Sequence, residues 1–401
     1  MLFEFGTANR IIFGAGAIER VGRLAADLGQ RALVVTGRSP ERADVLVQQL
    51  KKHDVRVGRF SVTGEPTLGL LTEGLSQARG HGADVVIGFG GGSVIDTGKA
   101  LAALVNNPGD VMEYLEVIGR GRPLMSVPAP CIAVPTTAGT GAEVTCNAVL
   151  KSTEHGVKVS LRSPMMFPRF AVVDPEVTLS LPPQVTAATG MDALTQLIEA
   201  FVSKRSNPLT DSLCGDGIKR VARSLRAAYF QPDDVGARSD MSLGSLFSGL
   251  ALANAGLGAV HGIAGPLGGL CDAPHGVICA NLLPTVVKTN VIALQNREPT
   301  SAALVRYQKV FRWLTGSRRA TTTDGIEWLH QLVKDLKIPP LCDYGLQPSH
   351  TARLVPQAQK ASSMQTNPVS LTASELEGVL ADAITVKGVN TKIESDPQIE
   401  I

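Results

Sequence analysis

Three features that often reveal a protein's partners are missing from this 401-residue sequence. The formal net charge is only +2 and no run of Lys or Arg occurs, which argues against nucleic acid or an anionic membrane surface as a partner. No stretch approaches the roughly 20 uninterrupted apolar residues of a membrane-spanning helix. The chain opens with an acid, Glu4, where a secretory signal has basic residues. The six cysteines form no CxxC pair. We therefore expect a cytoplasmic protein with reduced, mostly buried cysteines.

The composition is that of a globular protein, with 44% hydrophobic and 18% charged residues, and the length allows two domains. Up to residue 180, short runs rich in Val, Ile and Leu alternate with helical patterns. This alternation predicts a parallel sheet covered by helices. The predicted strands are residues 31–36, 55–62, 84–89, 131–135 and 170–173, with helices at 67–79 and 94–105.

The pattern changes after two consecutive prolines, Pro182 and Pro183, where long helical periodicities replace the strand signals. These predicted helices are residues 184–202, 211–228, 239–257, 301–314, 323–336 and 373–383. We therefore predict an α/β dinucleotide-binding domain over residues 1–182 and an all-helical domain over residues 183–401. The last dozen residues are expected to form a loosely held tail.

A glycine-rich loop follows the predicted strand at 84–89 and precedes a helix. Its glycines would let the backbone approach a pyrophosphate, and the helix start would supply free N–H groups. A tight turn that needs small residues is the simpler alternative. Because four of the five positions from 88 to 92 are glycine, a phosphate site is favoured. We predict cofactor contacts from Gly90, Gly91, Gly92, Ser93 and, in the first turn of the helix, Asp96.

Two further segments predict cofactor contacts. The hydroxyl-rich loop from Pro135 would offer Thr136, Thr137 and Thr140 to ribose or phosphate oxygens, although an ordinary polar loop has the same composition. After the strand at 31–36, an NAD-specific enzyme usually carries an acid near the adenosine 2′-hydroxyl. Here Gly37, Arg38 and Ser39 supply a cation and a hydroxyl instead, which favours the 2′-phosphate of NADP over NAD.

Several segments in order resemble the iron-containing, or group III, alcohol dehydrogenases, and the resemblance covers nearly the whole chain. The segments are GFGGGSVIDTGKA from Gly88, PTTAGTGAEVT from Pro135, GMDALTQLIEAFVS from Gly190, AVHGIAGPLGGLCDAPHGVICANLLP from Ala259 and NPVSLT from Asn367. The family pairs a dinucleotide-binding domain with a helical domain, in an architecture like that of dehydroquinate synthase. The resemblance implies an active site in the cleft between them.

The resemblance also implies a metal site, because family members hold iron or zinc with one Asp and three His. Asp192, His261 and His275 match three of these ligands, whereas the fourth position holds Gln196. A further family histidine is replaced by Gly265. Amide oxygen is a poorer ligand than imidazole for Fe²⁺ or Zn²⁺, so the resemblance favours a weakened or absent metal site over a strong one.

Other residues receive an interpretation from the same resemblance. Lys158 falls where many members carry a lysine close to the cofactor, although an exposed strand lysine is an equal alternative. Cys271 and Cys279 flank His275, but the family uses no cysteine there, so neither is expected to bind metal. If no metal binds, His261 or His275 is expected to protonate or orient the substrate oxygen.

We therefore expect an NADP- or NAD-dependent alcohol dehydrogenase or aldehyde reductase that acts on a small substrate and forms a homodimer or larger assembly. A metal-independent reductase similar to the maleylacetate reductases is the first alternative. A dehydroquinate synthase-like lyase and a nucleotide-binding protein without catalysis are further alternatives. The lyase would need several cations around an acidic substrate, and the segment from Asp192 to Gln196 supplies none.

Overall fold

The computed structural model describes residues 2–385, which divide into two compact units. One unit is Phe5–Leu179, and the other begins at residue 180 and includes residues 2–4. The predicted loose tail over the last dozen residues lies outside the described residues.

The first unit is built on a six-stranded sheet in which every strand pair is parallel, in the order β1-β8-β5-β4-β2-β3. A separate antiparallel hairpin, β6-β7, was not predicted. The strands are β1 Arg10–Phe13, β2 Arg31–Thr36, β3 Arg56–Ser61, β4 Val85–Gly90, β5 Cys131–Pro135, β6 Asn147–Ser152, β7 Val157–Arg162 and β8 Phe170–Val173. The predicted parallel α/β sheet is therefore confirmed, with three strands found to the residue.

Helices cover both faces of this sheet, because alternate residues of each strand enter two different apolar clusters. On β2, Leu33 and Val35 pack in one cluster, whereas Ala32 and Val34 pack in the other. The first cluster includes residues of α3 and α4, and the second includes residues of α1 and α2. These helices are α1 Val21–Ala26, α2 Asp44–Lys52, α3 Leu68–His81 and α4 Gly92–Val105.

The order of strands in the sheet creates a switch point between β2 and β4. After β2 the chain passes outward to the edge strand β3, then returns to β4 on the opposite side of β2, and continues to β5. Connections from β2 and β4 thus leave in opposite directions. In parallel sheets this arrangement opens a crevice at the carboxyl ends of the two strands, where nucleotides bind.

All regular elements in the described part of the second unit are helices, as predicted. They are α5 Pro183–Val202, α6 Pro208–Phe230, α7 Val235–Ala255, α8 Ala259–Leu267, α9 His275–Arg297, α10 Ala302–Thr315, α11 Thr322–Asp335, α12 Thr351–Lys360, α13 Ser362–Gln365 and α14 Ala373–Thr385. Six correspond to predicted helices. The long helix α9 was missed because it is apolar around most of its circumference and contains Pro284, so it shows no one-sided periodicity.

Within residues 2–385, α9 also has the length and apolar composition of a membrane-crossing helix, and α7 with α8 would pass only as a pair bent by 96°. However, 83% of the most apolar stretch of α9 is buried inside the fold. Packing against other helices of its unit accounts for this composition.

Helix α5 forms the centre of the second unit, with every residue from 190 to 202 buried. Glycines allow the neighbouring helices to approach closely. A Cβ added at Gly190 would lie 2.3 Å from Leu225 of α6, and one added at Gly217 of α6 would lie 2.7 Å from Leu197 of α5. The position of α5, which carries Asp192, Gln196 and Glu199, is therefore fixed by close packing against α6.

The start of α9 depends on a still closer contact. A Cβ at Gly276 would lie 2.0 Å from the carbonyl oxygen of Ala188 on α5. We predict that Gly276→Ala lowers the free energy of unfolding by about 2 kcal/mol or more, because backbone must move to admit the methyl group. Urea unfolding of the purified protein measures this change.

Gly378→Ala in α14 is the matched control, since a Cβ there meets no atom within 4 Å. Alanine is the better helix former, so this variant should be more stable by about 0.5–1 kcal/mol. Equal effects of the two substitutions would contradict the packing described for α5 and α9.

Candidate active site

Three helices of the second unit bring together the three charged or imidazole side chains predicted to bind metal. Asp192 comes from the middle of α5, His261 from the first turn of α8 and His275 from the first residue of α9. His261 Nε2 lies 3.3 Å from Asp192 Oδ1, and His275 Nε2 lies 3.7 Å from the same oxygen. Two histidines, one of them more than 80 positions away from Asp192 in sequence, thus converge on one oxygen of its carboxylate.

The orientation of His261 is set by Glu199, which sequence reasoning missed. Glu199 Oε2 lies 2.6 Å from His261 Nδ1, and Oε1 accepts a hydrogen bond of 2.6 Å from the N–H of Val260. The N–H of Ala259 is bonded to Asn367 Oδ1 at 3.1 Å. Two free N–H groups at the start of α8 are therefore satisfied by side chains. The bond to Nδ1 leaves Nε2 directed at the aspartate, an arrangement typical of metal-binding histidines.

Cys279 joins the cluster, in contrast to the expectation that no cysteine takes part. It follows His275 by one turn of α9, and its Sγ lies 3.6 Å from His275 Nε2 and 3.9 Å from His261 Nε2. One atom from each of Asp192, His261, His275 and Cys279 lies within 4.8 Å of the other three. The i to i+4 spacing from His275 is the sequence signal that could have indicated it.

The charges in this cluster stabilise one another. Burial alone would raise the pKa of Asp192, but the imidazoles of His275 and His261 lower it below its usual value. Burial opposes protonation of His261, yet Cys279 and Glu199 raise its pKa well above the usual range. Cys279 likewise raises the pKa of His275 against the effect of burial. Burial would raise the pKa of the Cys279 thiol, and the two imidazoles instead lower it. The cluster thus favours the anionic forms of Asp192 and Cys279 and the protonated forms of the two histidines.

The donor set fits a divalent cation. Asp192 Oδ1 is buried and makes no hydrogen bond to any described residue, although two ring nitrogens lie near it. A buried carboxylate oxygen is expected to have a partner, and a cation at this point would supply it. Carboxylate, imidazole and thiolate together are ligands suited to zinc or iron.

Gln196 lies one turn after Asp192 and is buried, as a residue of this face should be. Its Oε1 accepts a hydrogen bond of 2.7 Å from the hydroxyl of Ser248 on α7. This oxygen is the atom with which a glutamine would bind a cation. Its assignment as a metal ligand stays a prediction.

The exposed fractions of the cluster side chains differ. His275 is 41% exposed, whereas Asp192 is 3% and His261 is 9% exposed. Near them, a Cβ added at Gly265 would meet no atom within 4 Å. The cluster is therefore reached from the side of His275, with open space at the position where the family carries a further histidine.

In the first unit, the two loops predicted to bind the cofactor lie against each other. Gly91 is the N-cap of α4, and a Cβ on Gly92 would lie 2.8 Å from the methyl carbon of Thr140. A Cβ added at Gly91 would have the side chain of Thr137 as its nearest neighbour. The N–H of Thr136 donates to the carbonyl oxygen of Gly90 over 2.9 Å. The loops are adjacent because β4 and β5 are neighbours in the parallel sheet.

Asp96 is the fifth residue of α4 and so lies in its second turn, not in the first as expected. Its Oδ1 lies 3.0 Å from Nζ of the buried Lys99, and its Oδ2 accepts a hydrogen bond of 3.0 Å from the N–H of Val149. Lys99 also donates to the carbonyl oxygen of Ala142 and to the hydroxyl of Thr145. Asp96 thus joins α4 to β6 and to the turn after β5.

Gly37, Arg38 and Ser39 follow β2, on the β2 side of the switch point. Arg38 is exposed, and its Nε donates to the carbonyl oxygen of Thr63 at 2.6 Å. Lys158 lies on β7 opposite Lys151, and both ammonium groups pair with Glu65. The placement of Lys158 next to a cofactor stays a prediction.

The loop that follows β5 also contains a buried acid that no sequence motif indicates. Glu143 is 1% exposed, and burial raises its pKa from 4.5 to about 7, although its own N–H and the charge of Lys99 act in the opposite direction. A buried carboxyl with this pKa is partly protonated near neutral pH, so it affects stability there.

Both halves of the chain match one family. Residues 8–175 match the iron-containing alcohol dehydrogenases, and residues 186–384 match the C-terminal part of the Fe-containing alcohol dehydrogenase family. The 1,3-propanediol dehydrogenase of Klebsiella pneumoniae is 34% identical over 391 residues, which is 95% of this chain and 99% of that protein.

Solved structures agree over similar lengths. A 1,3-propanediol oxidoreductase superposes with a TM-score of 0.87 at 33% identity, covering 96% of this chain and 100% of that chain. The sulfoacetaldehyde reductase of Bifidobacterium kashiwanohense, solved in complex with NAD⁺, gives a TM-score of 0.85 at 28% identity with the same coverage.

The raised pKa of Glu143 generates a prediction about stability and pH. Between pH 4.5 and 7 the folded state binds more protons than the unfolded state, so this residue's contribution to the free energy of unfolding falls as the pH rises. We expect Glu143→Gln to remove this slope, and the variant should gain about 2–3 kcal/mol relative to the parent protein across that window. Urea unfolding at several pH values measures the difference.

Glu41→Gln, which changes an exposed acid of the same unit, controls for the loss of one negative charge. A difference between Glu143→Gln and the parent protein that does not change with pH would show that the buried carboxyl does not titrate as described.

Proposed function

This chain belongs to the iron-containing alcohol dehydrogenase family and is an alcohol or aldehyde oxidoreductase, and from that premise we propose that it interconverts a small aldehyde and its alcohol with NADP(H). The observation that carries this proposal is the convergence of Asp192, His261, His275 and Cys279 around an unpartnered, buried carboxylate oxygen.

The residues of the second unit hold and orient the reacting groups. When bound, the divalent cation polarises the substrate oxygen and the nicotinamide exchanges a hydride with the substrate carbon. Asp192, His261 and His275 would hold the cation, and Glu199 keeps Nδ1 of His261 occupied so that Nε2 faces the site. Because His275 is the accessible member of the cluster, substrate is expected to enter beside it.

A metal-independent reductase remains the second candidate, and the exposure of His275 favours it. In that case Nε2 of His275 would donate the proton to the substrate oxygen, and the charge of the buried Asp192, whose Oδ1 lies 3.7 Å from that nitrogen, would favour the protonated ring. The metal-dependent and the metal-independent reactions would use the same residues. Chelation would abolish turnover only in the metal-dependent one.

The first unit is proposed to bind the cofactor at the switch point of its sheet. The pyrophosphate would lie against Gly90, Gly91 and Gly92, where α4 begins with free N–H groups and no side-chain cap. Arg38, at the end of β2, would contact the 2′-phosphate of NADP. The lack of an acid in residues 37–39 supports this choice over NAD.

The substrate is proposed to be short. Proteins similar to this chain are named for 1,3-propanediol and sulfoacetaldehyde, which both carry a second polar group within a few atoms of the reacting carbon. The open space at Gly265, one turn after His261, would accommodate such a group.

Turnover with a panel of two- to four-carbon aldehydes tests the proposal. We expect purified protein to oxidise NADPH with at least one of them, to lose that activity after chelation and to regain it with Zn²⁺ or Fe²⁺. Bound metal is quantified in parallel. Turnover that persists with no metal bound would establish the metal-independent reductase, and no turnover in any condition would contradict both candidates.

Arg38→Ala tests the choice of nucleotide. Loss of one charged contact to the 2′-phosphate should raise the KM for NADPH by about 10-fold or more, since such a contact contributes about 1.5–3 kcal/mol. The KM for NADH should change little. Arg20→Ala, at another exposed arginine of the same unit, should leave both values unchanged. A parallel rise for NADPH and NADH in Arg38→Ala would contradict a contact with the 2′-phosphate.

A further inference from the structure

We propose that the thiolate of Cys279 is the fourth ligand of the divalent cation, in the place that the family resemblance assigns to Gln196. The site would then consist of one carboxylate oxygen, two imidazole nitrogens and one sulfur. This inference rests on the proposed function, because it concerns the metal that the proposed reaction uses.

The distances between the donor atoms match a tetrahedral site. With metal–ligand bonds of about 2.0–2.3 Å, neighbouring ligands of a tetrahedron lie about 3.3–3.8 Å apart. The aspartate oxygen lies 3.3 Å from Nε2 of His261 and 3.7 Å from Nε2 of His275. Cys279 Sγ lies 3.6 and 3.9 Å from the same two nitrogens. Three of these four edges of a tetrahedron thus lie within that range, and the fourth, between Cys279 Sγ and His261 Nε2 at 3.9 Å, is just beyond it.

The position of Cys279 in the fold makes it a fixed donor. It is fully buried on α9, one turn after His275, so both side chains project from the same face of one helix. The helix start is fixed by the contact between Gly276 and Ala188. The backbone of α9 therefore already holds the sulfur in position, and α9 would not have to move when an ion binds.

The position of Gln196 leaves the fourth place to the cysteine. Gln196 lies on the face of α5 that carries Asp192, but its Oε1 accepts a hydrogen bond from Ser248. One of the two lone pairs of this oxygen is thus already used, and its position is set by α7. The Sγ of Cys279, in contrast, is directed at the other members of the cluster, within 3.6 Å of His275 Nε2 and 3.9 Å of His261 Nε2.

The sulfur changes which metal the site selects. On binding, protons carried by the Cys279 sulfur and by Nε2 of the two histidines are released to solvent and a metal–sulfur bond forms, with no change in oxidation state. The two anionic donors then balance the charge of a divalent ion. Thiolate is a soft ligand, so the site should prefer Zn²⁺ or Co²⁺ strongly over Mg²⁺ and Mn²⁺.

Titration of the full-length, metal-free protein with Co²⁺ tests the proposal. A cobalt–thiolate bond gives an intense charge-transfer absorption in the near ultraviolet. We expect this band in the parent protein, saturating at one Co²⁺ per chain. Cys279→Ser and Cys279→Ala should both lose the band and bind Co²⁺ at least 10-fold more weakly. Circular dichroism of each variant establishes that it is folded.

Cys271→Ser is the matched control, since it also changes a buried cysteine close to His275 in sequence, and it should keep the band. Gln196→Ala should keep it as well. Co²⁺ binding without the band in the parent protein, or a band that survives in Cys279→Ala, would overturn the proposal. The band does not depend on turnover, so cobalt–sulfur absorption without aldehyde reduction would contradict the proposed function alone.

Discussion

The helical unit is organised around one buried negative charge. Asp192 is 3% exposed, and its Oδ1 makes no hydrogen bond within the described part of the chain. A buried carboxylate without compensation would cost several kcal/mol. Two helices supply groups that compensate the charge of this residue of α5: α8 carries His261 and α9 carries His275. Glu199 in turn fixes His261 and completes the start of α8. The same arrangement that stabilises this charge also forms a site for a cation.

Close packing of the helices determines how precisely these groups are placed. Contacts at Gly190, Gly217 and Gly276 leave no space for a methyl group, so α5 packs closely against α6 through leucine side chains and against α9 through the backbone. The donor atoms come from α5, α8 and α9, and a shift of one helix by 1 Å would change the distances on which metal binding depends. The glycines around α5 are therefore part of the active site's construction although none of them supplies a ligand.

Sequence patterns predicted the elements that have a clear local signal and missed those that do not. Residues 31–36, 131–135 and 170–173 were predicted to the residue because they are short, buried runs bounded by turn residues. Helix α9 was missed because it is buried on most sides and shows no polar face. The resemblance to a family indicated Asp192, His261 and His275, which the structure brings together. Motifs do not show neighbours in space, so the contribution of Glu199 and the position of Cys279 appeared only in the structure.

X-ray absorption at the zinc edge of the zinc-loaded protein tests the central claim, that Asp192, His261, His275 and Cys279 form one four-ligand metal site. The account predicts a first shell of one sulfur at about 2.3 Å and three nitrogen or oxygen atoms at about 2.0–2.1 Å. A shell of nitrogen and oxygen alone, or a protein that retains no zinc, would contradict it.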